Sequence, residues 1–372
     1  MKRFSIVLVL LLTFKLALPQ GDIVEFVKAG KEDAKVLFES YLNPYAMALG
    51  EGLNNGWFQT AEAHKFLGFD VSLNISAINI PGSDQFFDLG ALNLTNSELV
   101  NDPNKGTLTP TAAGEMPASE RPTLQAFREI DGQRENLFTY QVPDGAGLDM
   151  IPVPMAQISF GLIPHTDLVA RYVPELEFDN DGDNVKVGLK GIGIKHSFKE
   201  WIPLFKKLPF DAAVFFTYAK IDAETSLAFS SADYGNISVP SGVMVRDEYS
   251  DEFGYGVPDP NQRLSFDTKA MKYGLMLSKK IGILTLFGSV ANSETKTNLD
   301  LLGKYPVIEE NVSAGEVVVE SLENPLLLDF ESSSTVAMNA GLRLKLAFFK
   351  LFASVNKAEY TSYNAGIALG VR

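Results

Sequence analysis

The sequence predicts an all-β fold, a transmembrane antiparallel β-barrel of 12–14 strands with an N-terminal helical plug. Three observations lead there. Long stretches alternate bulky apolar residues with small or polar ones at period two, the repeat of a strand with two unlike faces. Many run past the about 5–6 residues of an ordinary strand and reach the about 9–11 that a tilted strand needs to cross a bilayer. Their connections are either tight or long and acidic, as short periplasmic turns and long outer loops are in outer-membrane barrels.

The totals fit that class. The chain has 372 residues, 26 Phe, 12 Tyr, no Cys and a formal net charge of −14. Absent cysteine excludes disulfides, thiolate catalysis and Cys-based zinc sites. The acidic balance argues against nucleic acid, which is bound through basic surface.

Residues 1–20 read as a secretory signal peptide. Lys2 and Arg3 form a basic start and Ser5–Phe14 an apolar run too short to span as a helix. Residues 21–62 read as a helical plug and its connector. Within it, 22–48 has helix periodicity, with Ile23, Phe26, Val27, Ala34, Leu37, Phe38 and Tyr41 near one face. Pro44 is expected to end the helix. The Gly/Asn-rich segment 50–57 follows as a flexible connector.

Residues 63–372 read as the barrel. Candidate strands are 65–79, 84–94, 134–143, 148–162, 166–178, 185–198, 208–222, 264–279, 282–297, 332–348, 350–358 and 360–372. That is twelve, and a hairpin inside 223–263 would make fourteen. An even count returns both ends of the barrel to the short-turn side. In the last stretch Tyr363, Ala365, Ile367, Leu369 and Val371 form the lipid-facing row, and Asn364, Gly366, Ala368, Gly370 and Arg372 the lumen row. Pairing it with the first strand removes both sheet edges. The aromatic and Lys-rich segment around Phe198, Trp201, Phe205 and Phe210 suits a girdle at the membrane boundary.

Three phrases carry a resemblance: "YLNPYAMALGEGLNNGWFQTAEAHKFLGFDVSLN", "PVPMAQISFGLIPHTDLVARYVPEL" and "VGLKGIGIKHSFKEWIPLFKKLPFDAAVFFTYAKI". They resemble the Bacteroidetes family DUF6588, whose members look like exported outer-membrane proteins. The resemblance covers most of the mature chain and implies no activity. More loosely, a helical segment ahead of a long-stranded barrel is similar to the FadL-type long-chain fatty-acid transporters, in which that segment plugs the barrel.

The chemical motifs are few. His64, His165 and His196 are not spaced as a zinc site or a catalytic triad, and no GxSxG elbow occurs. The sequence gives no catalytic residues, no metal site and no cofactor, and it does not read as an enzyme. "EFDNDGDN" at 177–184 begins like a calcium loop, but its twelfth position is Gly188, so it reads as a solvated hairpin. The lumen row is expected to hold Arg171, Glu175, Glu177, Lys186, Lys190, Asp211, Lys272, Asn339, Arg343 and Lys345. The plug is expected at the short-turn end, with Phe26, Phe38 and Trp57 against the wall and Asn54 and Asn55 beside them as ligand or plug contacts. The expected location is the outer membrane. The expected partners are membrane lipid and an apolar or amphipathic solute moved by passive transport. A structural or surface-display barrel without transport is the alternative.

Overall fold

A computed structural model describes residues 26–130, 133–180, 183–201, 206, 208–235, 244–308 and 316–371. Residues 1–20, expected as a signal peptide, and Ile23, Phe205, Arg372 and the tip of the 177–184 hairpin lie outside the described residues.

Ten strands form a closed barrel. They are β1 (Phe69–Asn79), β2 (Met150–Ile163), β3 (Thr166–Asn180), β4 (Asp183–Ser197), β5 (Asp211–Ser226), β6 (Arg263–Ile281), β7 (Leu284–Leu302), β8 (Leu326–Leu346), β9 (Phe349–Lys357) and β10 (Thr361–Val371). Each strand pairs antiparallel with the next, and β10 pairs with β1 from Phe69↔Val371 to Asn79↔Thr361. The count is therefore ten, not twelve to fourteen. It remains even, so β1 starts and β10 finishes at the end that carries the tight turns 164–165, 282–283 and 347–348.

The two surplus strands belong to the long-loop end. Residues 86–88 pair only with 108–110, and a single turn of 3₁₀ helix follows. Residues 133–140 form a hairpin with 124–130, extended by 97–99. That hairpin alternates because one face, including Leu124, Ala126, Leu137 and Tyr140, packs on an apolar core while the other meets water. Period two marks a half-buried strand and is blind to whether the other face sees water or lipid. Among the described residues no hairpin of 223–263 enters the barrel, and β5 pairs directly with β6. Residues 244–247 join 304–308 and 316–323 in a separate small sheet.

The outer surface has the profile of a membrane barrel. Val71, Leu73, Phe160, Ile194, Phe216, Leu275, Leu342, Ile367 and Leu369 are exposed apolar side chains on outward rows. Exposed Phe66, Trp201 and Phe348 lie at the tight-turn edge of this belt, and Tyr172, Tyr218, Tyr273 and Tyr363 at the other. Such paired aromatic girdles bracket the apolar band of outer-membrane barrels. Above the second girdle Lys190, Lys220, Lys269 and Lys296 stand in direct register across four strands. A row of four ammonium groups marks where hydrocarbon ends, since each would cost about 2–4 kcal/mol at the bilayer midplane.

Helix α1 (Lys31–Asn54) is longer than expected and continues past Pro44. Proline deletes the bond to the Ser40 carbonyl at a cost of about 3 kcal/mol in a helix interior. Here tertiary contact outweighs that local cost, because most of α1 is buried. Gly50 and Gly52 are helical, not connector. A Cβ on either would come within 2.5 Å of Thr295 or Val153 on facing barrel strands. The glycines let the helix lie against the wall.

Candidate functional site: the occupied lumen

The helix is enclosed by the strands. It touches β1, β2, β5, β6, β7 and β8, walls that lie on different sides of the barrel. Its first half lies under the long loops. Phe26, Phe38 and Tyr41 pack together, with ring centroids 4.5 and 5.2 Å apart for Phe26–Phe38 and Phe26–Tyr41. They share an apolar core with Leu124, Phe229, Tyr305 and Leu326. Tyr41 Oη donates to the Asp144 carbonyl (2.7 Å), and buried Asp33 accepts from the Thr95 and Asn96 amides at 2.6 and 2.9 Å. The chain thus enters from the long-loop end and descends toward the tight turns, opposite to the expected direction. Phe26 and Phe38 sit in a core shared by the loops and the upper barrel wall, which contributes Leu264 of β6, Leu299 of β7 and Leu328 of β8.

Trp57 meets the wall deeper in the barrel. Its indole lies over β4 at Gly191 and Gly193, where a Cβ would approach it to 3.0 and 2.9 Å. The Arg171 guanidinium covers the ring at 3.7 Å. Arg171 also donates to the Leu53 carbonyl (2.8 Å), the Asn55 carbonyl (2.6 Å) and Gln157 Oε1 (2.9 Å). It therefore fixes the C-terminal carbonyls of α1, the negative end of the helix dipole, to β3. Asn54 Nδ2 donates to Ser293 Oγ (2.9 Å) and Asn55 Nδ2 to Ser362 Oγ (2.7 Å), across to β7 and β10.

Below Trp57 a line of charge crosses the lumen. His64 Nδ1 and Nε2 lie 3.0 Å from Asp167 Oδ1 and 2.8 Å from Asp70 Oδ2. Lys195 pairs with Asp167 at 2.8 Å and Lys350 with Asp70. Lys195 Nζ also donates to the Thr60 carbonyl at 2.8 Å, and the His64 amide to Asp167 at 2.7 Å. All five side chains are buried. The line Lys195–Asp167–His64–Asp70–Lys350 ties the segment after α1 to β1, β3, β4 and β9. With each carboxylate committed to a lysine and to His64, the group serves as a latch.

The expected lumen residues separate into two sets. Arg171, Lys272 and Arg343 are buried on inward rows, and Asn339 lines an interior cavity. Lys272 donates to Asn356 Oδ1 (3.0 Å) and Arg343 to Thr285 Oγ1 (3.2 Å). Lys345 shares the inward row and stands opposite Lys350. Glu175 does not face the lumen. A bulge between Val173 and Leu176 shifts the alternation by one, so Leu176 pairs with Val187 on the inward row and Glu175 is turned outward. Glu177 and Lys186, paired in register beyond the bulge, are likewise outside. Lys190 belongs to the outer lysine row. The latch itself was missed because its members are far apart in sequence. Their parity was legible, but their convergence depends on barrel closure.

Two cavities flank this filling. One of about 30 Å³ lies among Asn54, Trp57, Phe215, Lys272, Asn339 and Asn364, room for about two waters. The other, about 560 Å³, opens at the long-loop end beside α1 and is lined by Ser40, Pro44, Phe86, Phe87, Phe330 and the acids Glu39, Asp84, Asp329 and Glu331.

A closed, even-stranded meander with an apolar belt, two aromatic girdles and a filled lumen defines a β-barrel of the outer-membrane type. The particular family follows from the sequence: residues 1–371 match the model of a family of unknown function, DUF6588, and the chain belongs to it. No curated protein matches it. Among solved structures it is similar to the translocator domain of autotransporter NalP from Neisseria meningitidis, with 9% identity over 91% of this chain and 98% of that one and a TM-score of 0.27. The toluene transporter TodX of Pseudomonas putida matches with 11% identity, 86% and 71% coverage and a TM-score of 0.27. Ail of Yersinia pestis matches with 8% identity, 82% and 98% coverage and a TM-score of 0.24. These likenesses are too slight to bear on function.

Proposed function

We propose that this protein resides in the outer membrane, exported by its N-terminal segment, and provides passive transport for a small apolar or amphipathic solute. In this reading α1 and residues 55–62 are its plug. One observation carries it. The lumen is filled by a separate segment of chain that is seated by side chains and not woven into the sheet. Arg171, Asn54, Asn55 and the His64 latch can be exchanged for other partners without breaking a barrel ladder. The open cleft with Phe86, Phe87 and Phe330 beside the outer half of α1 offers apolar surface where a solute would arrive.

The tight packing around the 30 Å³ cavity favours a second reading, a structural or surface-display barrel that never opens. Deleting residues 22–57 separates the two. A plug predicts an assembled barrel whose conductance in planar bilayers rises well above that of the intact chain. An assembled barrel that conducts no more than the intact protein supports the structural reading instead.

A further inference from the structure

The rim of the barrel is uneven at its long-loop end. β8 pairs with β7 from Leu344↔Leu284 up to Leu326↔Leu301. On its other side β9 reaches only Lys357, opposite Met338, and the chain turns into β10 at 358–360. Among the described residues, 326–337 of β8 therefore have no strand partner on that side. The upper part of this edge runs from Glu331, opposite Lys296 of the lysine row, to Leu326. It is a sheet edge on the water side of the membrane boundary.

The backbone groups that this edge leaves free can be named. The Lys345 amide donates to the Ile283 carbonyl (2.8 Å), so the odd-numbered residues of lower β8 bond toward β7. Between Thr335 and Ser332 one extra residue enters β8, and the parity inverts. Above that bulge the even-numbered residues bond toward β7. Leu327, Asp329 and Glu331 then turn their N–H and C=O groups to the notch. Among the described residues no other backbone group bonds to these three from that side. Their side chains are exposed, while Leu326, Leu328 and Phe330 are buried on the inner face.

The larger cavity lies against this edge. The cleft of about 560 Å³ touches β8 at Asp329, Phe330 and Glu331. Asp84, Phe86 and Phe87 of the 80–111 loop and Glu39, Ser40 and Asn43 of α1 supply most of its remaining lining. Four of these groups are carboxylates, and two lysines lie near them. Lys35 is 4.0 Å from Glu39, and Lys296 is 3.9 Å from Asp329 and 2.7 Å from Glu331. Asp84 accepts from Tyr360 Oη at 2.9 Å and from Ser83 Oγ at 2.8 Å, and among the described residues no cation pairs with it. The notch thus brings together unused backbone bonds, aromatic surface and surplus negative charge.

We propose that this notch is a docking site for an extended basic segment of a partner protein, which adds as a strand to β8. Its backbone completes the ladder at Leu327, Asp329 and Glu331. Alternate side chains of a strand point to opposite faces. One set is apolar and rests on Phe86, Phe87 and Phe330. The other carries Lys or Arg beside Asp329 and Glu331. The acids also decide against other occupants. Two copies of this chain meeting edge to edge would oppose like charges, and a charged edge repels neutral apolar strands. Because α1 supplies part of the lining, the docked strand touches the helix that fills the lumen. The site does not rest on the transport reading.

Fluorescence anisotropy on the full chain in detergent micelles tests the site. The probe is a fluorescein-labelled peptide that alternates lysine with valine and phenylalanine. Saturable binding is expected. The same peptide with its central backbone nitrogens methylated keeps its charge and loses its donors, and should bind about tenfold more weakly or worse. Leu327→Pro removes one N–H on the notch side and spares the ladder to β7, since proline is tolerated at a strand edge. It should weaken binding by a similar factor without changing the gel mobility of the folded barrel. Glu39→Gln with Asp329→Asn should weaken binding several-fold and flatten its dependence on salt. No saturable binding of the basic peptide overturns the proposal. So does equal binding of the methylated peptide, which would mean adsorption to acidic loops by charge alone. If Leu327→Pro does not fold, the methylated peptide against the unaltered chain decides. A peptide-independent dimer that Leu327→Pro dissolves would assign the edge to a second copy of the chain and also overturn the proposal.

Discussion

The two halves of the lumen hold the same segment of chain by opposite means. Toward the loops, α1 is gripped by Phe26, Phe38, Tyr41 and the apolar side chains of three long excursions. Toward the tight turns, the grip is polar: Arg171 on helix carbonyls, then the five-residue line through His64. The difference follows from what each region has to offer. The long loops and the upper ends of β6, β7 and β8 build one core and supply apolar surface on several sides. The narrow barrel below turns many of its apolar residues to lipid; its inward rows keep small apolar patches, such as Val153 and Leu189 around Trp57, and leave the fixing of register to polar groups. Apolar packing is adaptable in geometry, whereas hydrogen-bonded charge fixes one register and is costly when a partner is lost.

The largest effect should come from half a charge pair. Asp167→Asn strands Lys195 and one side of His64, and removing one member of a buried pair costs about 3–5 kcal/mol. The heat-modifiability midpoint should fall accordingly. Asp167→Asn combined with Lys195→Met should recover much of the loss. Equal damage from the single and double variants would show that the line is not coupled in this way.

Phe38→Ala attacks the other grip. Emptying a buried aromatic site costs about 3–4 kcal/mol, by a cavity that neighbours only partly refill. Here the damage should be local. Protease cleavage within the loops 80–149 and 227–262 should rise several-fold, while the barrel below keeps its gel mobility. If the barrel melts together with the loops, the two halves are one cooperative unit and the contrast drawn above disappears.

Gly193→Ala probes the seam between them. Its new methyl would meet Trp57 at about the 2.9 Å already noted, and overpacking of this kind costs roughly 1–3 kcal/mol. The expected readout is a red shift of the Trp57 emission in a W201F background, where Trp57 is the sole indole, as the ring is pushed toward the small cavity. An unchanged spectrum and stability would mean that Trp57 has room to move. The smallest effect belongs to the outer surface. Lys296 pairs with Glu331 at 2.7 Å, but both are well exposed. Lys296→Ala should leave the midpoint nearly unchanged, because water and salt screen a pair this exposed.

Much of this protein was legible in its sequence. Ten of the twelve proposed strands are barrel strands, because a lipid-facing row cannot tolerate polar residues and period two records that directly. The even count, the tight-turn end and the closing role of 361–371 came with it. Where the reading failed, a local rule met a tertiary exception. Residues 134–143 alternate like a membrane strand but cover a water-side core. Pro44 should stop a helix, yet the helix is buried on both sides of it. Glu175 sits within a bulge whose single extra residue inverts the faces. Which side chains meet inside the barrel was decided by tertiary structure alone. Asp70, Asp167, Lys195 and Lys350 each announce an inward position, but nothing in the chain between them says that closure brings all four to His64.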